Sequence, residues 1–204
     1  MRDSLKDSKP TFDMSQLIEA ARQQADGSGE RPVDKWNPTH CGEMDMVIKS
    51  DGSWWHEGTM ITRLPLVKLF ASILRKDEDG VTYLVTPVEK ITIQVEKAHF
   101  IATQLHVDTD EDGVQSFVFT TNMDETVALS PQRSLTVSTN PDTLEPTPLL
   151  RVRGRLDALL SRSVFYDLLN YAVERVTPEG KQLGIESDGD FSPLGPAGVH
   201  EVEA

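Results

Sequence analysis

Cysteine, long apolar runs and positive charge are all scarce in this 204-residue chain. The single cysteine, Cys41, excludes an intrachain disulfide and a metal site built from cysteines alone. No apolar run approaches the roughly 20 residues that a membrane-spanning helix requires. The N-terminus lacks the apolar stretch of a signal peptide. These absences favour a cytoplasmic protein that makes no contact with a membrane.

Negative charge dominates the chain, because 20 Lys and Arg residues face 33 Asp and Glu residues and leave a formal net charge of −13. A field of this sign repels nucleic acids and anionic membrane surfaces, so we expect neither as a partner. The positive charge is concentrated in two segments. Residues 58–76 carry four basic residues and no acid, and residues 151–175 carry five Arg residues against three acids.

The pattern of apolar residues and turns predicts an α+β protein of two domains between an N-terminal arm and a C-terminal tail. Residues 1–32 are interpreted as a helical arm and linker, with the helix over 13–25. Residues 33–80 are interpreted as a small α+β domain that includes a hairpin with its turn at Asp51-Gly52.

From residue 81 the pattern changes to strands. About seven of them are predicted between residues 83 and 153, which is typical of a small antiparallel barrel or sandwich. A closing helix is expected within 156–176, so the second domain runs over 81–177. The tail, residues 178–204, contains five Gly, three Pro and six acids against one Lys, and we expect it to be disordered.

Two segments of the chain resemble each other. Residues 61–70 align without gaps to residues 160–169, at an offset of 99. Both contain a hydroxyl residue followed by Arg, and we expect Thr62 and Ser161 to cap two equivalent helices, each entered from a strand. Chance similarity of two amphipathic helices is the alternative. The hydroxyl–Arg pair favours a true duplication, because amphipathicity does not require it.

These two helix starts suggest an anion site. A helix start offers backbone N–H groups and a positive dipole end, and an adjacent Arg adds a planar guanidinium. Two such starts that face each other across the domain boundary would clamp phosphate groups, with Arg63 and Arg162 as anchors. Arg153 and Lys90 are weaker candidates for ligand contacts. The alternative is that these are solvated faces that balance neighbouring acids.

Trp54 is a candidate stacking surface for a ligand. It precedes Trp55 on one predicted strand, so the two indoles point to opposite faces. One of them belongs to the core, and the other is left to line a cleft or stack on a base. The sequence does not decide which is which.

Metal and catalytic sites find little support. His40, Cys41 and His56 lack the spacing of a common metal site, and Cys41 beside His40 lacks the geometry of a nucleophile and its base. Residues 108–113 resemble the first half of a calcium loop, but Phe119 stands where that loop needs a bidentate Glu. We therefore predict no metal, no cofactor and no catalytic residue.

Several motifs in order resemble the bacterial family called domain of unknown function 1285, over about residues 32–176. They are Trp36-Asn37-Pro38, Cys41 to Met46, Asp51 to Trp54, Tyr83 to Lys90, and Arg153-Gly154 through Phe165-Tyr166. The resemblance implies two domains with a duplicated strand-then-helix core, and a C-terminal domain similar to a pleckstrin-homology barrel closed by a helix. It also implies a nucleotide-like ligand at the domain interface and a role in signal transduction.

The resulting hypothesis is a non-enzymatic protein that binds or senses a small anionic, nucleotide-like ligand between its two domains. One alternative is an interaction adaptor that binds a protein partner through its barrel, arm and tail. A second alternative is a hydrolase that uses Asp45, His40 or Cys41.

Overall fold

The computed structural model describes residues 14–23 and 31–197. These residues form two compact units, so the expectation of two domains is confirmed. The first unit contains the described residues up to Lys49 together with Ser53–Glu96, and the second contains Ser50–Gly52 and the described residues from Lys97 onward. The boundary therefore lies near residue 97, and the predicted boundary at 80/81 is wrong.

The first unit is a six-stranded sheet with two α-helices and one short 3₁₀ turn. The strand order is β3-β2-β1-β6-β5-β4, and every pair is antiparallel except β1 with β6. The elements are α1 (Met14–Gln23), the 3₁₀ turn (Val33–Lys35), β1 (His40–Ile48), β2 (Trp54–His56), β3 (Thr59–Met60), α2 (Leu64–Ser72), β4 (Leu74–Lys76), β5 (Thr82–Val85) and β6 (Lys90–Val95).

The parallel β1–β6 pair explains the misplaced boundary. Strands β5 and β6 were predicted, but were assigned to the second domain because they follow the Asp79-Gly80 turn. In the structure β6 pairs with β1, about fifty residues earlier in the chain, and so completes the first sheet. A parallel pair joined by a long crossover leaves no local signal in the sequence.

The second unit contains a six-stranded sheet of similar arrangement and a separate three-stranded sheet. The order is β10-β11-β12-β7-β8-β9, again with one parallel pair, β12 with β7. The elements are β7 (Phe100–Thr109), β8 (Gln115–Thr121), β9 (Thr126–Ala128), β10 (Leu135–Thr139), β11 (Pro146–Arg153), β12 (Leu156–Leu160), α3 (Arg162–Leu169), β13 (Val173–Thr177), β14 (Gly180–Ser187) and β15 (Asp190–Pro196).

The described chain is therefore mostly β, with three α-helices. All seven predicted strands occur, but two of them belong to the first unit, and the large sheet of the second unit has six strands instead of seven. The segment 156–160, expected at the start of the closing helix, forms β12, so α3 is shorter than the predicted window. None of the helices in the two described ranges has the length and apolar character needed to cross a membrane.

The internal repeat extends beyond the two helices. A three-stranded antiparallel meander follows α2 as β4-β5-β6, and another follows α3 as β13-β14-β15. The offset of 99 residues that aligns the helices also places β4 within β13, β5 within β14, and β6 over β15. The two copies differ in pairing, because β6 joins the first large sheet whereas β15 ends a separate one.

The helix starts follow the prediction in one case only. Ser161 is the N-cap of α3, and its Oγ accepts a hydrogen bond from the backbone N–H of Val164. In α2 the N-cap is Arg63, so Thr62 lies one position too early. With Thr62 as the cap, Pro65 would occupy the third helical position, where it has no N–H to donate to the hydroxyl.

The predicted disordered tail is wrong for residues 178–197. Strands β14 and β15 form there, Ile185 is fully buried and Leu194 is nearly so. Ser187 is buried, and its hydroxyl donates to the carbonyl oxygen of Leu129 in the same unit. Frequent Gly and Pro concealed the strand pattern. Residues 198–204 lie outside the described residues.

The predicted N-terminal helix occurs as α1, but it is not a separate arm. It packs against α2, and its residues Leu17 and Ala21 are buried. It therefore belongs to the first unit. The proposed cap at Asp13 and the linker over 24–30 lie outside the described residues.

Candidate functional site

Arg63 lies at the mouth of a pocket in the first unit. As the N-cap of α2 it is exposed, and it lines a pocket of about 160 Å³ with Arg22 of α1. The remaining lining residues are apolar and belong to the first two turns of α2: Pro65, Leu66 and Leu69. The packing of α1 against α2 is what brings Arg22 to this pocket, which sequence reasoning missed.

The two guanidinium groups of this pocket are not neutralised by any residue that the structure describes. Neither Arg22 nor Arg63 forms an ion pair or a side-chain hydrogen bond with a residue in 14–23 or 31–197. The segment 58–76 supplies no acid that could pair with them. In a chain with a net charge of −13, the pocket is thus a local concentration of available positive charge.

The start of α2 does not supply the backbone donors that the sequence suggested. Pro65 has no N–H, and the N–H groups of Leu66 and Val67 both donate to the carbonyl oxygen of Arg63, at 2.9 and 3.2 Å. These three residues therefore contribute no free N–H group to a phosphate cradle. The attraction for an anion at this site comes from the side chains of Arg22 and Arg63.

Arg162 occupies the first position of α3 in the second unit and is exposed. It too forms no ion pair with a residue that the structure describes. Arg63 and Arg162 belong to different units, and their convergence on one ligand stays a prediction.

Arg153 is engaged within the second unit. Its Nε lies 3.3 Å from Glu125 Oε2, and its guanidinium carbon lies 5.8 Å from the centre of the Phe100 ring. Its side chain is 14% exposed. These contacts hold Arg153 against its own sheet and partly neutralise its charge.

Lys90 belongs to a polar cluster that we call the Asp77 cluster, formed by Arg75, Asp77, Asp79, Tyr83 and Lys90. Asp77 accepts from Arg75 Nε at 2.6 Å and from Lys90 Nζ at 2.5 Å. Arg75 also donates to the carbonyl oxygens of Val33 and Trp36, which ties the 3₁₀ turn to β4. Lys90 is thus bound internally, like Arg153.

The electrostatics of the Asp77 cluster are those of a structural site. Burial raises the pKa of Asp77, but hydrogen bonds from Arg75 and Lys90 outweigh that effect and hold the pKa below its usual value. The hydrogen bond from Tyr83 lowers the pKa of Asp79. Burial and the bond to Asp79 raise the pKa of Tyr83 to about 12. A saturated carboxylate and a weakly acidic phenol are poor proton-transfer groups near neutral pH.

Trp54 is a core residue and not an exposed stacking surface. It is 1% exposed and stacks on Phe70, with the ring centres 6.3 Å apart. Its partner in the β1–β2 register is Ile48, which is also buried, so β2 turns Trp54 inward and leaves Trp55 partly exposed. The Nε1 of Trp54 is buried without a partner among the described residues.

The residues of the hydrolase alternative do not form a nucleophile and base. His40 Nε2 bonds to Thr92 Oγ1 at 2.9 Å, whereas the thiol of Cys41 donates to the carbonyl oxygen of Thr39. Asp45 contributes its backbone oxygen, not its carboxylate, to His56. Across the described ranges, no three His, Cys, Asp or Glu side chains are grouped so that they could hold a metal ion.

Comparison with known families identifies both halves of the chain. Residues 31–98 match the family described as "Domain of unknown function (DUF1285), N-terminal domain". Residues 99–194 match "Protein of unknown function (DUF1285), C-terminal domain". The division at 98/99 agrees with the boundary between the two structural units. A search of curated proteins finds no match.

Two solved structures are similar to this chain. A DUF1285 family protein from Silicibacter pomeroyi DSS-3 is 36% identical, with 89% of this chain and 95% of that chain covered and a TM-score of 0.79. A DUF1285 family protein from Shewanella baltica OS155 is 24% identical, with 62% of this chain and 91% of that chain covered and a TM-score of 0.47.

Proposed function

Because the chain belongs to the DUF1285 family, which is described only as being of unknown function, we propose a function from its own residues. We infer that it is a non-catalytic binding protein that takes a small anionic ligand in the pocket around Arg63. The observation that carries this proposal is the pair of arginines, Arg22 and Arg63, that line one apolar pocket and have no acidic partner within residues 14–23 and 31–197.

Charge supports this proposal. An anion that approaches a protein of net charge −13 meets general repulsion, so selective capture requires local cations that are not already paired. Arg63 and Arg22 meet this condition, whereas Lys90 and Arg153 are bound to Asp77 and Glu125. The planar guanidinium matches carboxylate and phosphate oxygens in a bidentate geometry.

Finer parts of the hypothesis are retained as proposals. A nucleotide-like ligand held between the domains follows from the family resemblance, as does a role in signal transduction. Arg162 as a second anchor follows from its place at the start of α3. The pleckstrin-homology likeness of the second domain is supported by a six-stranded sheet that is followed directly by α3. A cytoplasmic location is also retained as a prediction.

A thermal-shift panel tests the proposal. The full chain is heated with nucleotides, inorganic phosphate and small carboxylates, and a ligand present at 100 times its Kd would add about 2.7 kcal/mol to the unfolding free energy. We expect at least one anion to raise the melting temperature, and Arg63→Gln to abolish the shift. Arg162→Gln would reduce it only if the second anchor exists.

The absence of a shift with every anion, together with identical behaviour of Arg63→Gln, would refute the proposed binding function. We expect Arg63→Gln to fold normally, because Arg63 is exposed and makes no side-chain bond within the described ranges. Circular dichroism of the variant checks this.

The adaptor alternative has one specific observation in its favour. Strand β13 is an edge of the three-stranded sheet, and its residues Val173 and Val176 are 40% and 82% exposed. An exposed edge strand can accept an extended peptide from a partner. Loss of a captured partner on Val176→Lys would favour this function, and an unchanged capture would argue against it.

A further inference from the structure

The pocket around Arg63 has an aliphatic interior. The described residues that line it beyond the two arginines are Pro65, Leu66 and Leu69, and none of them is aromatic. Proteins usually hold nucleic-acid bases by stacking them on aromatic rings or guanidinium planes. Trp54, the stacking surface that the sequence suggested, is closed within the core. The aliphatic part of the lining therefore suits an alkyl chain, and it offers a base no aromatic ring on which to stack.

The charged rim of the pocket suits a single compact anionic group. Three residues of the first turn of α2 contribute no free N–H group that could cradle a polyphosphate, since Pro65 has none and those of Leu66 and Val67 are bonded to Arg63. The positive charge of the pocket comes from the two forked guanidinium groups. A carboxylate matches one guanidinium in a bidentate pair and satisfies the charge without further donors.

The size of the pocket limits the alkyl chain. Sites for drug-sized ligands measure about 300–1,000 Å³, and an engineered apolar cavity of about 150 Å³ in another protein holds one benzene molecule. The pocket here measures about 160 Å³. It therefore accepts roughly six to eight carbon atoms.

We propose that the pocket formed by Arg22, Arg63, Pro65, Leu66 and Leu69 binds an aliphatic carboxylate of medium chain length, in preference to a nucleotide. The carboxylate pairs with the guanidinium groups at the rim, and the alkyl chain lies against the prolyl and leucyl side chains. This inference rests on the proposed anion-binding function of the same pocket and names the class of ligand.

Isothermal titration of the full chain tests the inference with four probes: octanoate, butanoate, octylammonium and ATP. We expect octanoate to bind and octylammonium not to bind, because the two share a chain and differ in the sign of the head group. Butanoate should bind at least about tenfold more weakly than octanoate, since each buried methylene contributes to affinity. ATP should bind more weakly than octanoate.

Variants assign the binding to this pocket. Arg63→Gln and Arg22→Gln should each weaken octanoate binding by about tenfold or more, because each removes a charge-assisted hydrogen bond. Leu66→Gln should weaken octanoate binding more than butanoate binding. Arg133→Gln, between β9 and β10 in the second unit and outside the pocket, is the matched control and should leave binding unchanged.

The possible results distinguish failure of the carboxylate inference from failure of the general anion-binding function. Equal binding of octanoate and octylammonium, or octanoate binding that Arg63→Gln and Arg22→Gln leave unchanged, would overturn the inference. Binding of ATP that depends on Arg63, without binding of octanoate, would overturn the inference and support the general anion-binding function. Failure of every anion to bind would overturn both.

Discussion

The ammonium nitrogen of Lys90 lies 3.9 Å from the centre of the Tyr83 ring, and the same nitrogen pairs with Asp77. A cation held over an aromatic ring and against a carboxylate contributes to stability and is not free for a ligand. Strands β5 and β6 pair side by side and bring these side chains together. Lys90 therefore has a structural role, whereas Arg22 and Arg63 are available to bind an anion.

Lys90→Gln should lower the stability of the first unit without changing anion binding. The substitution removes the cation–π contact and leaves Asp77 with Arg75 alone, so we expect a loss of about 1–2 kcal/mol in urea unfolding. Anion affinity, measured by titration of the folded variant, should equal that of the wild type. Unchanged stability together with lost binding would mean that Lys90 is a ligand contact after all.

Tyr83 should resist ionisation in alkaline solution. Its pKa is raised to about 12, so it stabilises the fold fully below its ordinary pKa near 10, and this contribution is lost as the pH rises through about 12. Ultraviolet titration should show a late phase from Tyr83. Tyr83→Phe should remove that phase, and Asp79→Asn should shift it to lower pH because the acceptor of the phenol is altered.

The other two tyrosines of the chain serve as controls for the assignment of the late phase to Tyr83. Tyr166 and Tyr171 are 61% and 39% exposed. If Tyr166→Phe removed the late phase and Tyr83→Phe left it, the described environment of Tyr83 would be incorrect.

The two related helix starts should respond differently to loss of their hydroxyl groups. Ser161→Ala removes the bond to the backbone of Val164 and should cost about 1 kcal/mol of unfolding free energy. Thr62→Ala should change stability by less than about 0.5 kcal/mol, because Thr62 is exposed and lies before the cap. Equal losses in chemical denaturation would show that Thr62 caps α2.

Gly184→Ala should disrupt the sheet formed by β13, β14 and β15. A Cβ atom at this position would lie 2.6 Å from the carbonyl oxygen of Ser192 and would overlap the Phe191 ring, so β14 and β15 would have to separate. Hydrogen exchange should show lost protection over residues 180–196. Gly189→Ala, in the turn between the two strands, meets no neighbour but forces alanine to a φ of +85°, so it separates backbone strain in the turn from the overlap with Phe191 and Ser192.

Local signals allowed much of the fold to be predicted. The Asp51-Gly52 turn, the apolar stripe of α1 and seven of the strands follow from spacing within a few residues. Features set by distant partners escaped prediction. The parallel pairing of β1 with β6 moved the domain boundary, and β14 lacks regular alternation because Gly184 takes a buried position against Phe191.

The candidate site was only partly accessible for the same reason. Arg63 was identified from its place at a helix start, but Arg22 joins it only through the packing of α1 on α2. Lys90 and Arg153 looked available because their partners, Asp77 and Glu125, lie 13 and 28 residues away in sequence. Which of two consecutive tryptophans faces the core depends on strand register, which the sequence did not reveal.

Residue-resolved NMR of the arginine side chains tests the central claim most directly. The Nε–H signals of the full chain are followed during titration with octanoate and, in parallel, with ATP. The account predicts saturable shifts of Arg22 and Arg63 with at least one of these anions, while Arg133 stays unchanged. Stationary signals of Arg22 and Arg63 with both anions, or shifts as large at Arg133, would contradict it.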